Sequence, residues 1–207
     1  MVAGSTAVAT LALLAACGQG SLITSGNSYQ NALTDWYDVH PVCLTLVDRL
    51  PIDVPADAKG ASLRAGMDAL VAAGLMTSTP ISKEAESFGH GSGKIAHLRY
   101  QPTAVGAATV HPAANHFLGG TDICFGKRHI MTVTSSTVPA NVAGMLVSRV
   151  TYSWKLEPAA WASGDAVRAA FPGMAHALDN PTGEATEALV KTETGWVPDR
   201  AIGSGGR

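Results

Sequence analysis

The sequence has few charged residues and no block of basic ones. Asp, Glu, Lys and Arg make up 14% of the 207 residues, the formal net charge is −2, and the first Lys or Arg in the chain is Arg49. Proteins that bind nucleic acid normally carry a clustered basic face, because neutralised phosphates supply much of their affinity. The charge distribution therefore argues against a nucleic-acid partner.

Catalytic and cofactor motifs are also missing from the sequence. It contains no Gly-x-Ser-x-Gly nucleophile elbow and no Cys-x-x-Cys redox pair. The segment His90-Gly91-Ser92-Gly93 is a polar glycine-rich loop without the strand–loop–helix setting of a phosphate loop. We therefore assign no catalytic and no cofactor-binding residues, and we expect no cofactor.

The seven histidines are dispersed along the chain. The closest pair, His111 and His116, encloses Pro112, which disfavours the helical i, i+4 pairing that many zinc sites use. Asp35 and Asp38 precede His40 and either form an acid–base cluster or, as we favour, belong to an acidic solvated turn. We assign no metal ligands.

The N-terminal apolar run is too short to span a bilayer. Residues 7–16 (AVATLALLAA) are uncharged, whereas a membrane-spanning helix needs about 20 apolar residues, so the run fits the hydrophobic region of a signal peptide. It ends in Leu14-Ala15-Ala16-Cys17, which resembles the lipobox of bacterial lipoproteins. An ordinary cleaved signal or a buried N-terminal helix are the alternatives.

The lipobox resemblance implies a location and an anchor. Cys17 would be the first residue of the mature protein and would carry the acyl chains that hold it on the membrane, in the bacterial cell envelope. Gly18, rather than Asp, follows Cys17. In a Gram-negative host this resembles the pattern sorted to the periplasmic face of the outer membrane.

Acylation of Cys17 would leave Cys43 and Cys124 as the remaining thiols. In an oxidising compartment such a pair favours a disulfide over two separate buried thiols. A bridge over a loop of this length stabilises by about 4 kcal/mol in the chain-entropy model.

One stretch of the first half resembles a known module. Residues 62–75 place apolar side chains on one helical stripe that Gly74 can end, and residues 94–101 alternate as a strand does. The sequence ALVAAGLMT, a glycine-rich hairpin and Tyr100-x-x-Thr103-x-x-Gly106 resemble a winged-helix module over residues 61–106. That resemblance implies DNA binding, but export and the scattered charges favour a scaffold for packing or protein contact; the fixed positive charges are Arg64, Lys83, Lys94 and Arg99.

The second half of the sequence is predicted to form mostly strands. Residues 123–138 are rich in β-branched residues. In residues 145–156 apolar and polar residues alternate, which predicts a strand with one apolar and one solvent-exposed face. A short helix is predicted within residues 158–171, and a final strand over residues 185–197.

The sequence thus predicts an α+β fold, in which an N-terminal helical, winged-helix-like part precedes a small antiparallel sheet with a packed helix. The predicted organisation is a signal peptide (1–16), a flexible tether (17–31), one α+β domain (32–201) and a disordered tail (202–207). Within the domain, residues 32–110 and 111–201 are possible winged-helix-like and sheet subdomains.

The favoured function is a non-catalytic, membrane-anchored envelope lipoprotein that binds a protein or an envelope ligand. Two alternatives stay open. One is an envelope hydrolase whose catalytic residues are dispersed in sequence. The other, if the chain is not exported, is a winged-helix regulator.

Overall fold

The computed structural model describes residues 19–46, 48–84, 93–113 and 119–204. Within these ranges the chain forms six α-helices and ten strands. The helices are α1 (Gln19–Val39), α2 (Ala61–Ala72), α3 (Ala104–Ala107), α4 (Asp165–Ala170), α5 (Pro172–Asp179) and α6 (Asp199–Ser204). The strands are β1 (Val42–Leu46), β2 (Ile52–Pro55), β3 (Met76–Glu84), β4 (Lys94–Pro102), β5 (Val110–Pro112), β6 (Thr121–Ser136), β7 (Ala140–Val142), β8 (Met145–Pro158), β9 (Thr182–Lys191) and β10 (Trp196–Pro198).

A curled, seven-stranded antiparallel sheet dominates the structure and forms a half-barrel. Its main path is β1-β6-β8-β9-β10, with β5 paired to β6 and β7 paired to β8. The central strand β8 buries Ser148, Val150, Tyr152 and Leu156 on one face, while the residues between them are more exposed. This confirms the alternation predicted for residues 145–156 and fixes which face of the sheet the helices cover.

Two groups of helices pack on this sheet. Tyr29, Leu33 and Tyr37, spaced four residues apart on α1, form one core cluster with Val150 and Tyr152 of β8. A second cluster joins α4 and α5 to the sheet; its buried residues include Phe125, Leu156, Val167 and Met174. The predicted helix within residues 158–171 is confirmed as α4, whereas α5, which begins at Pro172, was not predicted.

The smaller sheet has the order β2-β4-β3 and packs against α2. The helix predicted within residues 62–75 is confirmed, and Gly74 follows it with φ +76°, the left-handed conformation that favours glycine after a helix end. The buried Tyr100 of β4 donates a hydrogen bond to Asp68 of α2 (2.6 Å). This bond ties the strand to the helix.

The predicted fold class is wrong. More of the described residues are in strands than in helices, and the sheet is large and curled rather than a small sheet after a helical part. A winged-helix module needs several helices packed together, but here α2 packs on α4 and β3, while α1 packs on β6 and β10 of the large sheet. The helices are therefore distributed over the two sheets and do not form a helical N-terminal unit.

Three boundaries also differ from those predicted. Residues 19–31 are helical and not a flexible tether: Tyr29 is 1% exposed, and Gln30 Nε2 donates to the Met131 carbonyl oxygen (3.4 Å). Residues 202–204 continue α6, and 205–207 lie outside the described ranges. The single strand predicted over 185–197 is two strands, β9 and β10, which a turn at Gly195 (φ +147°) joins.

Candidate functional site

Cys43 and Cys124 lie opposite each other on adjacent strands. They are register partners in the antiparallel pair of β1 and β6, and their sulfur atoms are at disulfide-bonding distance, 2.02 Å. The predicted pairing is thus confirmed as a cysteine pair at disulfide distance. The pair joins the edge strand β1 to β6. Its two residues are 81 positions apart in the chain.

The residue predicted to carry the lipid, Cys17, lies outside the described ranges. Helix α1 begins at Gln19, two residues later. Of the helices searched within the described ranges, none has the length and apolar character needed to cross a membrane.

A half-buried polar network lies between the C-terminal part of α1 and the large sheet. The carboxylate oxygen Oε1 of Glu187 accepts hydrogen bonds from the hydroxyls of Tyr152 (2.6 Å) and Tyr37, and from Arg200 Nη2. Arg200 and Arg128 also donate to the Tyr37 oxygen, over 2.8 and 3.1 Å. The network therefore joins five elements: α1, β6, β8, β9 and α6.

Electrostatics make this network a structural anchor rather than an acid–base centre. Burial raises the pKa of Glu187, but the hydrogen bonds from Arg200, Tyr152 and Tyr37 outweigh burial and hold the pKa below its usual value. Burial and the bond to Glu187 raise the pKa of Tyr152 far above its usual value. At neutral pH the carboxylate is thus ionised and a weak base, and Tyr152 keeps its proton.

Aromatic side chains surround the network. Arg128 lies between two rings, with its guanidinium carbon 5.0 Å from the Tyr37 centroid and 4.4 Å from the Trp154 centroid. Within the part of the chain that the structure describes, Glu187 Oε2 and Arg128 Nε are buried and have no hydrogen-bond partner. The same cluster holds three of the four tryptophans and three of the four tyrosines of the chain: Trp36, Trp154, Trp196, Tyr29, Tyr37 and Tyr152.

The predicted Asp35–His40 region lies at the C-terminal end of α1. His40 stacks on Trp36 with ring centroids 3.5 Å apart, and its Nδ1 lies 2.7 Å from the Trp36 carbonyl oxygen. Asp35 and Asp38 are exposed on the same helix. The imidazole is thus engaged with its own helix, four residues back.

An open groove of about 540 Å³ lies beside Cys124. His111 and Lys127 line it, and so do His129 and Glu157, whose Nε2 and Oε2 atoms are 2.6 Å apart on the exposed face of the sheet. Of the groove's hydroxyl and sulfur groups, Thr109 donates to the Gly106 carbonyl oxygen and Cys124 pairs with Cys43. Among the described residues that line it, the groove therefore offers a carboxylate-oriented histidine but no aligned nucleophile.

Other residues considered from the sequence do not converge. His90, Ser92 and His116 lie outside the described ranges, and His97 is half-buried on β4. In the part of the chain that the structure describes, no group of three or more His, Cys, Asp or Glu side chains could hold a metal ion.

The positive charges of the hairpin formed by β3 and β4 are largely matched by one carboxylate. Asp53 of β2 accepts two hydrogen bonds from Arg99 (2.7 and 2.9 Å), and Lys83 Nζ lies 2.7 Å from it. These bonds from Arg99 and Lys83 hold the pKa of Asp53 far below its usual value. Arg64, in turn, donates to the carbonyl oxygens of Pro55 and Asp57.

The Glu187 network could not be predicted from any local pattern, because its members are spread over residues 37–200. Comparison of the chain with protein-family models, with curated proteins and with solved structures returned no match.

Proposed function

We propose that this chain is a non-catalytic lipoprotein of the bacterial cell envelope, anchored through lipid on Cys17, whose folded domain binds a protein or an envelope ligand. The observation that carries the proposal is the Cys43–Cys124 pair at bonding distance. Disulfides form and persist in oxidising compartments, so the pair fits the export that the Leu14–Cys17 segment predicts.

Helix α1 bears on how such an anchor would hold the domain. The described residues from Gln19 onward are helical, and Tyr29 packs the helix on the sheet. A packed helix in place of a flexible tether restricts the orientations in which an anchored domain can meet its partner.

The character of the polar sites supports a non-catalytic role. Glu187 is ionised and saturated with donors at Oε1, and the His129–Glu157 pair lies on an open surface. Neither arrangement places a nucleophile beside a base in a closed, water-excluding site.

The anchor is tested by metabolic labelling with an alkyne analogue of palmitate in a bacterial host, followed by membrane fractionation. We expect the wild-type chain to be labelled and membrane-bound, and Cys17→Ser to lose both properties. The matched control is Cys43→Ser/Cys124→Ser, which keeps Cys17 and should keep its label. Equal labelling of wild type and Cys17→Ser overturns the proposal.

The partner is tested by chemical crosslinking in intact membranes. We expect a reproducible adduct of the wild-type protein that is weakened in Cys17→Ser, because loss of the anchor removes the protein from the membrane surface. A wild-type protein that is lipidated but forms no adduct at any reagent concentration contradicts the binding role and leaves the anchor standing.

A further inference from the structure

The strands β7 and β8 form a hairpin with an apolar tip. Ala140 pairs with Val147 and Val142 with Met145, and the turn residues Ala143 and Gly144 both have positive φ (50° and 84°). The Asn141 side chain accepts a hydrogen bond from the Gly144 backbone (3.0 Å). This two-residue turn gives the hairpin a defined end.

Large apolar side chains are exposed at and near this end. Val138 is 84% exposed and Val142 54%, and Met145 and Leu146 are also exposed. Four of the ten large exposed hydrophobic side chains in the described ranges lie here, although the hairpin is a small part of the chain. Exposed apolar groups concentrated in this way mark a site of contact with another protein or with a membrane.

The hairpin is also free of charge. Residues 130–148 contain no Asp, Glu, Lys, Arg or His, whereas His129 and Arg149 flank them. A protein surface that stays in water normally carries charges of both signs. An uncharged, apolar tip matches the acyl region of a membrane, where ionised side chains are costly.

The direction of α1 places this hairpin at the anchored end of the domain. Tyr37 of α1 contacts Arg128 of β6, and Gln30 contacts Met131. The direction from Tyr37 to Gln30 along α1 is therefore the direction from Arg128 to Met131 along β6. That direction leads to Ser136 and the hairpin. Seven helical residues and three strand residues each advance about 10 Å, so the start of α1 lies near the end of β6.

We propose that the β7–β8 hairpin tip inserts into the interfacial region of the membrane beside the lipid on Cys17. This rests on the proposed function, because the orientation depends on the anchor. Val138, Val142, Met145 and Leu146 provide the inserted side chains. The hairpin supplies a second membrane contact to the acyl anchor and fixes the orientation of the domain.

The test uses the lipidated protein, purified in detergent and reconstituted into phosphatidylethanolamine–phosphatidylglycerol vesicles. The variant Val142→Cys is labelled with an NBD fluorophore, and quenching by nitroxides on the lipid acyl chains is measured. Cys17 is acylated and Cys43 is paired with Cys124, so the added thiol takes the label. The control is Val105→Cys on α3, a 69% exposed site near the opposite end of β6.

We expect at least twofold stronger quenching of the label at 142 than of the label at 105. Adding Leu146→Asp should reduce quenching at 142 by half or more, whereas Leu63→Asp on the exposed face of α2 should not change it. Equal, weak quenching at both sites overturns the inference. So does an emission shift at 142 that depends on protein concentration without lipid quenching, since a second copy then covers the tip.

Intact mass spectrometry of the same samples separates this inference from the proposed function. A protein with lipid on Cys17 but no quenching at position 142 overturns the hairpin inference alone. A protein without lipid on Cys17 overturns the anchor, whatever the quenching result.

Discussion

Glu187 illustrates how one carboxylate can join several elements of a fold. Its Oε1 atom accepts hydrogen bonds from two tyrosines and one arginine, which belong to α1, β8 and α6. Hydrogen bonds to a charged group are among the stronger ones in proteins, and they lose their value when one partner is removed from a buried site. Glu187 therefore couples the helices at both chain ends to the sheet.

The first prediction concerns Glu187→Gln, which keeps the shape of the side chain and removes its charge. We expect the free energy of unfolding at pH 7 to fall by about 2–4 kcal/mol, because Arg200 and the tyrosines lose an ionised acceptor. Urea denaturation followed by tryptophan fluorescence measures the change. The control is Glu184→Gln on the exposed part of the same strand, which should change stability by less than about 0.5 kcal/mol.

The same pair of proteins gives a pH dependence with a definite sign. The pKa of Glu187 in the folded state is below its usual value. The ionised side chain therefore contributes fully to the free energy of unfolding above the pKa of the unfolded state, about 4.3. The contribution is lost as the pH falls from there toward the folded pKa. The difference in stability between wild type and Glu187→Gln should therefore shrink between pH 6 and pH 3; a constant difference contradicts an ionised Glu187.

At the residue scale, the contacts that could be predicted from the sequence are those with few alternative partners. Cys43 and Cys124 are the only cysteines left once Cys17 is assigned, so their pairing could be predicted. Tyr37, Glu187 and Arg200 lie up to 163 positions apart, and each is of a residue type common on any surface. They meet only because α1 and α6 both pack against the large sheet, so no local pattern could indicate the network.

At the element scale, α1 shows how composition can mislead. Residues 18–31 are rich in Gly, Ser and Asn, which predicts a tether. Tyr29, Leu33 and Tyr37, at intervals of four, form a stripe that is typical of a helix. The helix forms because burial of this stripe against Val150 and Tyr152 outweighs the weak helix propensity of the segment.

The second prediction tests whether α1 is an integral part of the domain. Leu33 is completely buried, so Leu33→Ala should lower the free energy of unfolding by about 2–5 kcal/mol. Val39→Ala, at a 71% exposed position of the same helix, should have an effect below about 0.5 kcal/mol. Equal small effects of both substitutions would show that α1 is detached from the sheet. Chemical denaturation provides the measurement.

The third prediction concerns the link between β1 and β6. Peptide mass spectrometry of the exported protein under non-reducing conditions should find Cys43 joined to Cys124. The double variant Cys43→Ser/Cys124→Ser should be less stable by about 2–4 kcal/mol, since the bridge closes a long loop in the unfolded chain. Unbridged peptides from exported protein, or an unchanged stability, would remove the main support for an oxidising location.

The winged-helix resemblance fails at this scale for an identifiable reason. Its motif residues are packing positions: Tyr100 bonds to Asp68, and Thr103 Oγ1 donates to the Gly74 carbonyl oxygen and accepts from the Gly106 backbone. A Cβ atom at Gly106 would lie 1.8 Å from the Leu75 carbonyl oxygen, so only glycine fits. The motif correctly indicated a helix–turn–hairpin contact, but such a contact occurs in more than one fold.

At the scale of the whole molecule, the proposed anchor and hairpin contact would give the domain a defined orientation on the membrane. The start of α1 and the apolar hairpin tip lie toward one end, and Trp36 and His40 lie toward the other end of α1. The large sheet could be predicted only as separate strands, because its curl depends on strand pairings distant in sequence, such as β1 with β6. The Leu14–Cys17 motif is local and predicts a location, which stays a prediction, whereas the architecture depends on distant pairings and could not be predicted.

The central claim is that Cys17 carries lipid, and the most direct measurement is the mass of the mature N-terminus. The full chain is expressed in a bacterial host, extracted from membranes and analysed intact and as N-terminal peptides. We expect a chain that begins at Cys17 and carries a diacylglyceryl group on its sulfur. A chain that retains residues 1–16, or one that begins at an unmodified residue, contradicts it.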